Sequence, residues 1–369
     1  MAAVTHLVRS VITLVFLVLI STVSSSPQAA GPARTSGSVE DVTVPAPSLK
    51  GNLLGDPTTQ PISVYLPPSY RAESERRYPV VYLLHGYTGN NRSWFETGSD
   101  GFNLKTILDD LMSSRSIREM IVVAPNGNNA LMGSFYVNSP VTGRWADHIE
   151  SDVVGYVDKN YRTMARPASR GIAGHSMGGF GALSLSMRGP TFSAVYALSP
   201  CCLGMEGEFL ESMPAWSRLG TLTSREQLPK PISSFDDFFA HAFAAIGAAF
   251  SPNTTRPPFF SDTLYTSSGG KLHRNEAVDK RWRELMPVYH VEEKQARLNE
   301  LRGIYLDFGE KEEFSHIRLA TSRLSQELAA RAIPHTFVIY PDGDHGSKIR
   351  ERLQTTVFYF FSEKLDFTQ

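Results

Sequence analysis

One short stretch of the chain carries residues that could perform nucleophilic chemistry. Gly174-His175-Ser176-Met177-Gly178 matches the pattern G-x-S-x-G, in which a serine lies on a strained turn between a buried strand and a helix. Such a tight turn brings the backbone on both sides of the serine together, so side chains at the glycine positions would clash. Five residues alone match many chains by chance. The hypothesis therefore depends on whether the chain also supplies a base, an acid and oxyanion donors.

The base that would activate the serine is expected in a late loop of the chain. A serine hydroxyl is a poor nucleophile without a base within hydrogen-bonding distance. In hydrolases with this turn, the catalytic residues follow the order serine, acid, histidine. Among the ten histidines, His345 fits that order best, because it lies in the loop Pro341–Gly346 after the last predicted strand. A structural role is favoured for His290, His316 and His335, which lie in helical contexts or at the start of a strand.

The acid is expected after the preceding predicted strand, in Asp307-Phe-Gly-Glu-Lys-Glu-Glu-Phe314. Asp307 still belongs to the strand, and Glu310 comes very early in the turn. Glu312 and Glu313 are better placed, and a glutamate can orient an imidazole and stabilise the imidazolium as an aspartate does. These residues alone leave Glu312 and Glu313 as alternatives.

Negative charge on a tetrahedral intermediate requires fixed hydrogen-bond donors. The turn itself provides one, the backbone N–H of Met177 at the start of a helix. The second donor is expected in the loop after an early strand, His85-Gly86-Tyr87, and we assign it to the N–H of Tyr87. We also expect the substrate to contact His175, beside the serine, and Trp145, in a long polar loop.

Alternating strand and helix patterns would bring these residues to one edge of a sheet. Continuously apolar runs, typical of strands covered on both faces, are followed by sharp stops and by segments of helical period. The predicted strands are 39–44, 62–66, 79–84, 120–124, 171–174, 194–198, 303–308 and 335–340, the first two as edge strands, and helices are predicted at 103–112 and from about 147, 315 and 349. This pattern implies the α/β class, with one mostly parallel, doubly wound sheet. Ligands bind such sheets at the carboxyl ends of the strands, where the proposed nucleophile, base, acid and oxyanion donors lie.

One segment, from about 203 to 275, interrupts the alternation. It is rich in proline, glycine and aromatic residues and shows no strand and helix alternation. An excursion this long inside a compact domain usually has a function, for example as a lid. We interpret it as a cap whose aromatic side chains line an apolar acyl or aryl pocket. The alternative is that these side chains only pack the insertion onto the sheet.

The charge and the N-terminus limit the class of protein. With 369 residues and a formal net charge of −1, the chain has no electrostatic footprint for nucleic acid or an anionic membrane. The apolar run Val11–Ile20 is too short to span a bilayer comfortably, and small and polar residues follow it. We therefore predict a signal peptide over 1–30, a flexible leader over 31–38 and a catalytic domain over 39–369. The protein would be secreted or periplasmic without stable membrane insertion, and an anchor formed by an uncleaved signal is the alternative.

The chain has only two cysteines, and these are adjacent, Cys201 and Cys202. This number excludes a disulfide framework. A strained vicinal disulfide is one alternative in an oxidising compartment, and two reduced, partly buried thiols are the favoured one.

With these residues in place, the chain resembles the esterase D-like branch of the α/β-hydrolases. That group includes feruloyl and acetyl xylan esterases, S-formylglutathione hydrolase, enterochelin esterases and the mycobacterial mycolyltransferases. The resemblance extends from about residue 62 to the C-terminus, except the insertion, and rests on Leu83–Gly89, Gly174–Ala182, Gly309–Glu312 and Gly343–His345. The third motif usually reads Gly-x-x-Asp in that family, with the aspartate as the triad acid. Glu312 occupies this position here, so the resemblance assigns it that role.

The resemblance implies an α/β-hydrolase fold and the hydrolysis of an acyl ester or thioester through an acyl-serine intermediate. Together with the predicted signal peptide, it leads to the hypothesis of a secreted serine esterase that hydrolyses carboxylic esters. It implies no metal ion and no organic cofactor. The expected substrate is a small-molecule or carbohydrate ester, for example an acylated carbohydrate or a feruloyl-like aryl ester, and no nucleic acid partner is expected. Two alternatives remain, an acyltransferase of the mycolyltransferase type and a non-catalytic binding protein on a hydrolase scaffold.

Overall fold

The computed structural model describes residues 36–97, 102–210 and 213–369. The predicted signal peptide and most of the predicted leader lie outside these residues. The first described strand begins at Ser38, the last residue of that leader. Thr35–Gln369 forms one compact unit. Within the described ranges, no helix is both long enough and apolar enough to span a bilayer.

The strands of the described chain are β1 (Ser38–Pro45), β2 (Thr59–Leu66), β3 (Val80–Leu84), β4 (Ile121–Pro125), β5 (Asn138–Ser139), β6 (Gly143–Arg144), β7 (Arg170–His175), β8 (Ala194–Leu198), β9 (Tyr265–Ser268), β10 (Lys271–Arg274), β11 (Gly303–Gly309) and β12 (Thr336–Tyr340). Eight of them form the central sheet in the order β1-β2-β4-β3-β7-β8-β11-β12. The pairs from β4 to β12 are parallel, whereas β1–β2 and β2–β4 are antiparallel. This is the mostly parallel sheet that the sequence predicted.

The helices of the described chain are α1 (Leu104–Ser113), α2 (Trp145–Asp147), α3 (Val154–Asn160), α4 (Met177–Arg188), α5 (Pro214–Leu219), α6 (Phe235–Phe250), α7 (Glu276–Arg283), α8 (Gln295–Asn299), α9 (Ser315–Ala330), α10 (Ile349–Arg352) and α11 (Phe358–Lys364). Wider π-helical turns over 148–153 and 353–357 join α2 to α3 and α10 to α11. Each helix predicted from periodicity therefore has a counterpart.

The apolar strands form because the sheet is covered on both faces. Along β3, Val80, Tyr82 and Leu84 enter one hydrophobic cluster, whereas Val81 and Leu83 enter another on the opposite face. A strand buried on both faces reads as a continuous apolar run rather than as an alternation. β2 departs from the prediction of an edge strand, because it lies between β1 and β4 and is buried on both faces over 62–66.

The insertion is more regular than the sequence predicted. It contains the 16-residue helix α6, the short helix α5 and the hairpin β9–β10. The sequence predicted no individual helix or strand in 203–275, and α6 was missed because apolar residues dominate it and thirteen of its 16 residues are buried. A stacked pair of rings, Trp216 and Phe243, with centroids 3.6 Å apart, packs α5 against α6.

Candidate active site

Ser176 lies on a sharp turn between β7 and α4, in the middle of the central sheet. Its backbone angles are φ 56° and ψ −115°, a strained conformation for a residue other than glycine. Its N–H donates to the carbonyl of Leu198 at 3.0 Å, and its carbonyl accepts from the N–H of Cys201 at 3.1 Å. The surrounding strands therefore hold the turn on both sides, in the strand-turn-helix context that the sequence predicted.

Both glycines of the turn are required by the close approach of the backbone. A Cβ on Gly174 would overlap the backbone of Gly178, and a Cβ on Gly178 would overlap the carbonyl of Leu84. We predict that Gly174→Ala lowers the free energy of unfolding by about 3 kcal/mol or more, because backbone atoms would have to move. Urea denaturation measures this loss.

Gly155→Ala is the matched control for that substitution. Gly155 lies inside α3 with open space around the position of its missing Cβ. Alanine there is expected to stabilise the protein by up to about 1 kcal/mol, because glycine is the poorer helix former. Equal losses of stability in Gly155→Ala and Gly174→Ala would contradict the steric explanation.

His345 and Glu312 meet at the carboxyl ends of neighbouring strands. Nδ1 of His345 lies 2.9 Å from Oε2 of Glu312, whose side chain is completely buried. Glu312 follows β11 and His345 follows β12, and these strands pair in parallel, so their carboxyl ends lie at the same edge of the sheet. The carboxylate of Glu312 can therefore accept a hydrogen bond from Nδ1–H of the ring, which leaves Nε2 free to accept a proton.

Glu313, the alternative acid, contacts His345 in a different way. Its Oε2 accepts a 3.0 Å hydrogen bond from the backbone N–H of His345 and not from the ring. Asp307 has other partners, because its carboxylate binds Arg352 at 2.7 Å and accepts from the hydroxyl of Tyr196 at 2.7 Å. Of these carboxylates, the one that faces the imidazole is therefore that of Glu312.

His345 also packs against His175, the residue before the serine. The ring centroids are 4.5 Å apart, and Nε2 of His175 donates to the carbonyl of His345 at 2.8 Å. In the part of the chain that the structure describes, the Ser176 hydroxyl makes no hydrogen bond to His345. Catalytic hydrogen bonds are often long or misaligned until the Michaelis complex forms. His175 therefore positions the loop of His345 beside the turn that carries Ser176.

The backbone N–H groups of Tyr87 and Met177 were predicted as oxyanion donors. Neither has a protein acceptor among the described residues. A Cβ on Gly86 would lie 3.5 Å from Cβ of Ser176, so the loop that carries Tyr87 lies directly against the serine. The hydroxyl of Tyr87 donates to the carbonyl of Leu131 at 2.8 Å, which fixes the loop. Two unused donors thus flank Ser176, as an oxyanion would require.

His85 ties this loop to the loop after β4. Its Nδ1 donates to the carbonyl of Gly86 at 2.8 Å, and its Nε2 accepts from the N–H of Gly127 at 2.7 Å. The second bond requires a neutral ring. Burial lowers the pKa of His85 to about 4, although the bond to Gly86 opposes this shift. At neutral pH, His85 is therefore an uncharged link between the two loops.

We predict that His85 makes the protein less stable in acid. Its pKa is about 4 in the folded protein and about 6.5 when unfolded, so between these values the unfolded chain binds more protons. The contribution of His85 to the free energy of unfolding is fully present above pH 6.5, and about 3 kcal/mol of it is lost as the pH falls through about 4. Urea unfolding across this window checks the prediction. His85→Gln should lose this part of the pH dependence, and an unchanged slope in the variant would contradict the account.

A narrow apolar cavity opens beside Ser176. Its walls include Phe238, Phe239, Ala242 and Ile246 of α6, and Tyr87 and Phe135 on the opposite side. Aromatic side chains of the insertion thus line a cavity at the proposed nucleophile. Size does not distinguish this cavity, since a larger surface depression elsewhere contains none of the proposed catalytic residues.

Trp145 does not reach this cavity, and its assignment as a substrate contact is wrong. The side chain is fully buried against Ala46 and Leu49, and its indole N–H donates to the carbonyl of Thr142 at 2.7 Å. A tryptophan in a polar loop can turn inward, and the sequence does not show the direction. His175 lines a separate polar cleft beside the loop of His345, where its contact with a substrate stays a prediction.

The sequence did not indicate that a second histidine, paired with a glutamate, lies at the cavity beside Ser176. His316 and Cys201 line the cavity, and Nδ1 of His316 lies 2.7 Å from Oε2 of Glu208. His316 begins a helix, where a structural role was favoured, and 108 residues separate it from Glu208. No local pattern could have brought these residues together.

The family of the chain follows from comparison with known proteins. A family model described as putative esterase matches residues 57–351, a range that includes the proposed nucleophile, base, acid and oxyanion donors. The chain belongs to the putative esterase family. Among solved structures, a ferulic acid esterase superposes with a TM-score of 0.61 at 22% identity, over 89% of this chain and 98% of that one. The fold of this esterase-family chain is therefore the α/β-hydrolase fold.

Curated relatives match shorter segments of this esterase-family chain. It is 31% identical over 144 residues to an endo-1,4-beta-xylanase/feruloyl esterase of Xylanibacter ruminicola, across 38% of this chain and 19% of that protein. It is 38% identical over 128 residues to an esterase of Mycobacterium tuberculosis, across 34% of this chain and 26% of that protein. The matched segments thus span about a fifth and a quarter of these relatives.

Proposed function

We propose that the protein is a serine hydrolase of carboxylic esters. In this proposal Ser176 attacks the ester carbonyl, His345 accepts and returns its proton, and Glu312 orients His345. The observation that carries the proposal is the 2.9 Å contact between His345 and the buried carboxylate of Glu312, beside a serine on a strained strand-to-helix turn. Membership of the putative esterase family supports it.

The proposed reaction proceeds through an acyl-serine. Nε2 of His345 removes the hydroxyl proton as Ser176 attacks, and Glu312 stabilises the imidazolium that forms. The N–H groups of Tyr87 and Met177 bind the oxyanion of the tetrahedral intermediate. The imidazolium then protonates the departing alcohol. Water, activated by the same imidazole, attacks the acyl-serine and releases the acid.

The two depressions beside the site suggest how an ester would be divided between them. The narrow cavity lined by Phe238 and Phe239 fits a short or flat apolar acyl group. The cleft on the side of His175 is wider and contains Ser347 and Lys348, which suit a polar alcohol such as a sugar. An aryl acid esterified to a carbohydrate combines these properties, in keeping with the feruloyl esterase names of a relative and a solved structure. The predicted signal peptide would place this reaction outside the cytoplasm.

We predict that Ala242→Phe narrows the specificity for the acyl group. Ala242 lies on α6 and lines the cavity, so a phenyl ring there would occupy the space of the acyl chain. We expect kcat/KM for methyl ferulate and p-nitrophenyl octanoate to fall about tenfold or more, and the value for p-nitrophenyl acetate to change about threefold or less. Acetate is the internal control. Equal losses on acetate and octanoate would contradict acyl binding in this cavity.

A substrate panel tests the proposed function directly. Purified protein is incubated with p-nitrophenyl esters of increasing chain length, methyl ferulate and acetylated xylan fragments, and the released acids are quantified by chromatography. We expect free acid from at least the short or aryl esters. The absence of hydrolysis across the panel would contradict the proposal, and transfer of the acyl group to an added sugar instead of water would indicate an acyltransferase.

A further inference from the structure

A second set of nucleophile, base and acid side chains lies in the cavity that contains Ser176. Oε2 of Glu208 lies 2.7 Å from Nδ1 of His316 and also accepts from the backbone N–H of His316 at 2.8 Å. The other oxygen of Glu208 accepts from the N–H of Ser315 at 2.8 Å. The imidazole is therefore fixed at one nitrogen, and His316 lines the same cavity as Cys201 and Cys202.

The electrostatics of this set favour an ion pair. Burial raises the pKa of Cys201, but the hydrogen bond from Cys202 and the facing imidazole of His316 lower it to about 6, with a smaller contribution from His345. Burial lowers the pKa of His316, but Cys201 and Glu208 raise it to about 9. The directions of the two shifts favour a thiolate at Cys201 and a protonated imidazole at His316, which line the same cavity.

Cys202 supplies a second thiol within reach. Its Sγ donates a hydrogen bond to Sγ of Cys201, with 2.8 Å between the sulfur atoms, and both residues are buried and free in the structure. Both residues are more deeply buried than predicted, and their reduced state stays a prediction. Burial raises the pKa of Cys202 well above its ordinary value. One thiol of the pair is thus ionised while its neighbour keeps its proton, which suits a nucleophilic thiol and a resolving thiol.

We propose that Cys201 is a second nucleophilic site of the cavity, beside the paired side chains of His316 and Glu208, and that it reacts with hydroperoxides and then closes to a vicinal disulfide with Cys202. The substrate class is a small hydroperoxide that can enter the apolar cavity. The proposal does not rest on ester hydrolysis, because it concerns only the state of the two thiols.

The first step transfers one oxygen atom to sulfur. The thiolate of Cys201 attacks the terminal peroxide oxygen, the O–O bond breaks, and a sulfenic acid forms. The departing alkoxide, or hydroxide from hydrogen peroxide, takes the proton of His316. In the second step, Cys202 attacks the sulfenic sulfur, the S–S bond forms and water leaves with the proton of Cys202. Overall, two thiols are oxidised and one hydroperoxide is reduced to an alcohol, or to water, with one further water released.

Thiol titration of the whole chain tests the proposal, because these are its only two cysteines. The reduced protein is treated with one equivalent of hydrogen peroxide, and the remaining thiols and the mass of the peptide carrying both residues are measured. We expect both thiols to disappear, the peptide to lose two hydrogen atoms, and a reductant to restore it. In Cys202→Ser, we expect a sulfenic acid that dimedone traps at Cys201.

Variants of the base and acid distinguish this proposal from ordinary thiol oxidation. His316→Gln and Glu208→Gln should slow the reaction with peroxide about tenfold or more at pH 7, since a thiol with an ordinary pKa of about 8.5 is only a few per cent ionised there. His335→Gln is the control, because His335 bonds Ser325 and does not line the cavity. Alkylation of wild-type protein by a small haloacetamide should reach half its maximal rate near pH 6, the value that Cys202, His316 and His345 set for Cys201.

Two results would overturn the proposal. The first is a rate of thiol loss to peroxide in the wild type that is no faster than the rate at which Cys201→Ser loses the thiol of Cys202. The second is a wild-type alkylation profile with its midpoint at pH 8.5 or above. The second measurement needs no variant, so the proposal stays testable if a substitution at His316 or Glu208 prevents folding. Loss of ester turnover with normal thiol reactivity would contradict the proposed function alone.

Discussion

Ser176→Ala is expected to lower kcat for p-nitrophenyl acetate by about 10,000-fold or more, since it removes the nucleophile on which the acyl-serine route depends. The melting temperature should stay within about 2 °C of the wild type, because the Ser176 hydroxyl makes no hydrogen bond within the described part of the chain. Initial rates with ester in excess and a thermal melt of each protein provide both values.

Ser184→Ala is the matched control for the loss of the nucleophile. Ser184 lies on the same helix, α4, and its buried hydroxyl also has no hydrogen-bond partner among the described residues. This variant should retain at least about half of the wild-type kcat, a change of well under 1 kcal/mol in the barrier. Turnover in Ser176→Ala equal to that in Ser184→Ala would remove Ser176 from the proposed mechanism.

The second large effect is expected at the acid. Glu312→Gln should lower kcat by about 1,000-fold or more, because an amide cannot stabilise the imidazolium and presents a donor to Nδ1 that favours the wrong tautomer. Glu313→Gln should change kcat by about threefold or less. Among the described residues, its side chain accepts a bond from the backbone N–H of His345 alone, and the amide oxygen of glutamine can accept the same bond.

The two variants can be compared directly, because the residues are adjacent and the substitutions are the same, so a difference in kcat reflects the role of each carboxylate. Circular dichroism confirms that each variant is folded, and kcat is measured between pH 6 and 9. Comparable losses in both variants would contradict the assignment of Glu312. A loss confined to Glu313→Gln would transfer the role to Glu313.

The central sheet was predictable because its signals are local. Continuous apolar runs mark β3, β4 and β8, whose side chains are all buried. By contrast, α6 was missed, because alanine and phenylalanine make up most of its sequence and nearly all of its surface is buried, so little of it is polar. The edge position of β2 was also wrong, because the order of strands in a sheet depends on pairings between distant segments.

The part of the candidate site that was predictable is the part that depends on the order of residues in the chain and on the positions of strand ends. Ser176 and His345 follow from the turn pattern and from the position of a late loop. The choice between Glu312 and Glu313 required the direction of each side chain, which adjacent residues in a turn do not reveal. The inward direction of Trp145 was unpredictable as well, because a loop sequence does not reveal which way a side chain points. The pairing of Glu208 with His316 depends on the docking of the insertion, which no local pattern encodes.

The most direct test of the central claim is covalent labelling with a serine-directed fluorophosphonate. Trypsin should release residues 171–188 as one peptide, because Arg170 and Arg188 flank a stretch without lysine or arginine. The account predicts one phosphonyl group per chain, located at Ser176 by fragment masses, and slower labelling in His345→Gln. Ester turnover by a protein that takes up no label, or takes it up at another residue, would contradict the account.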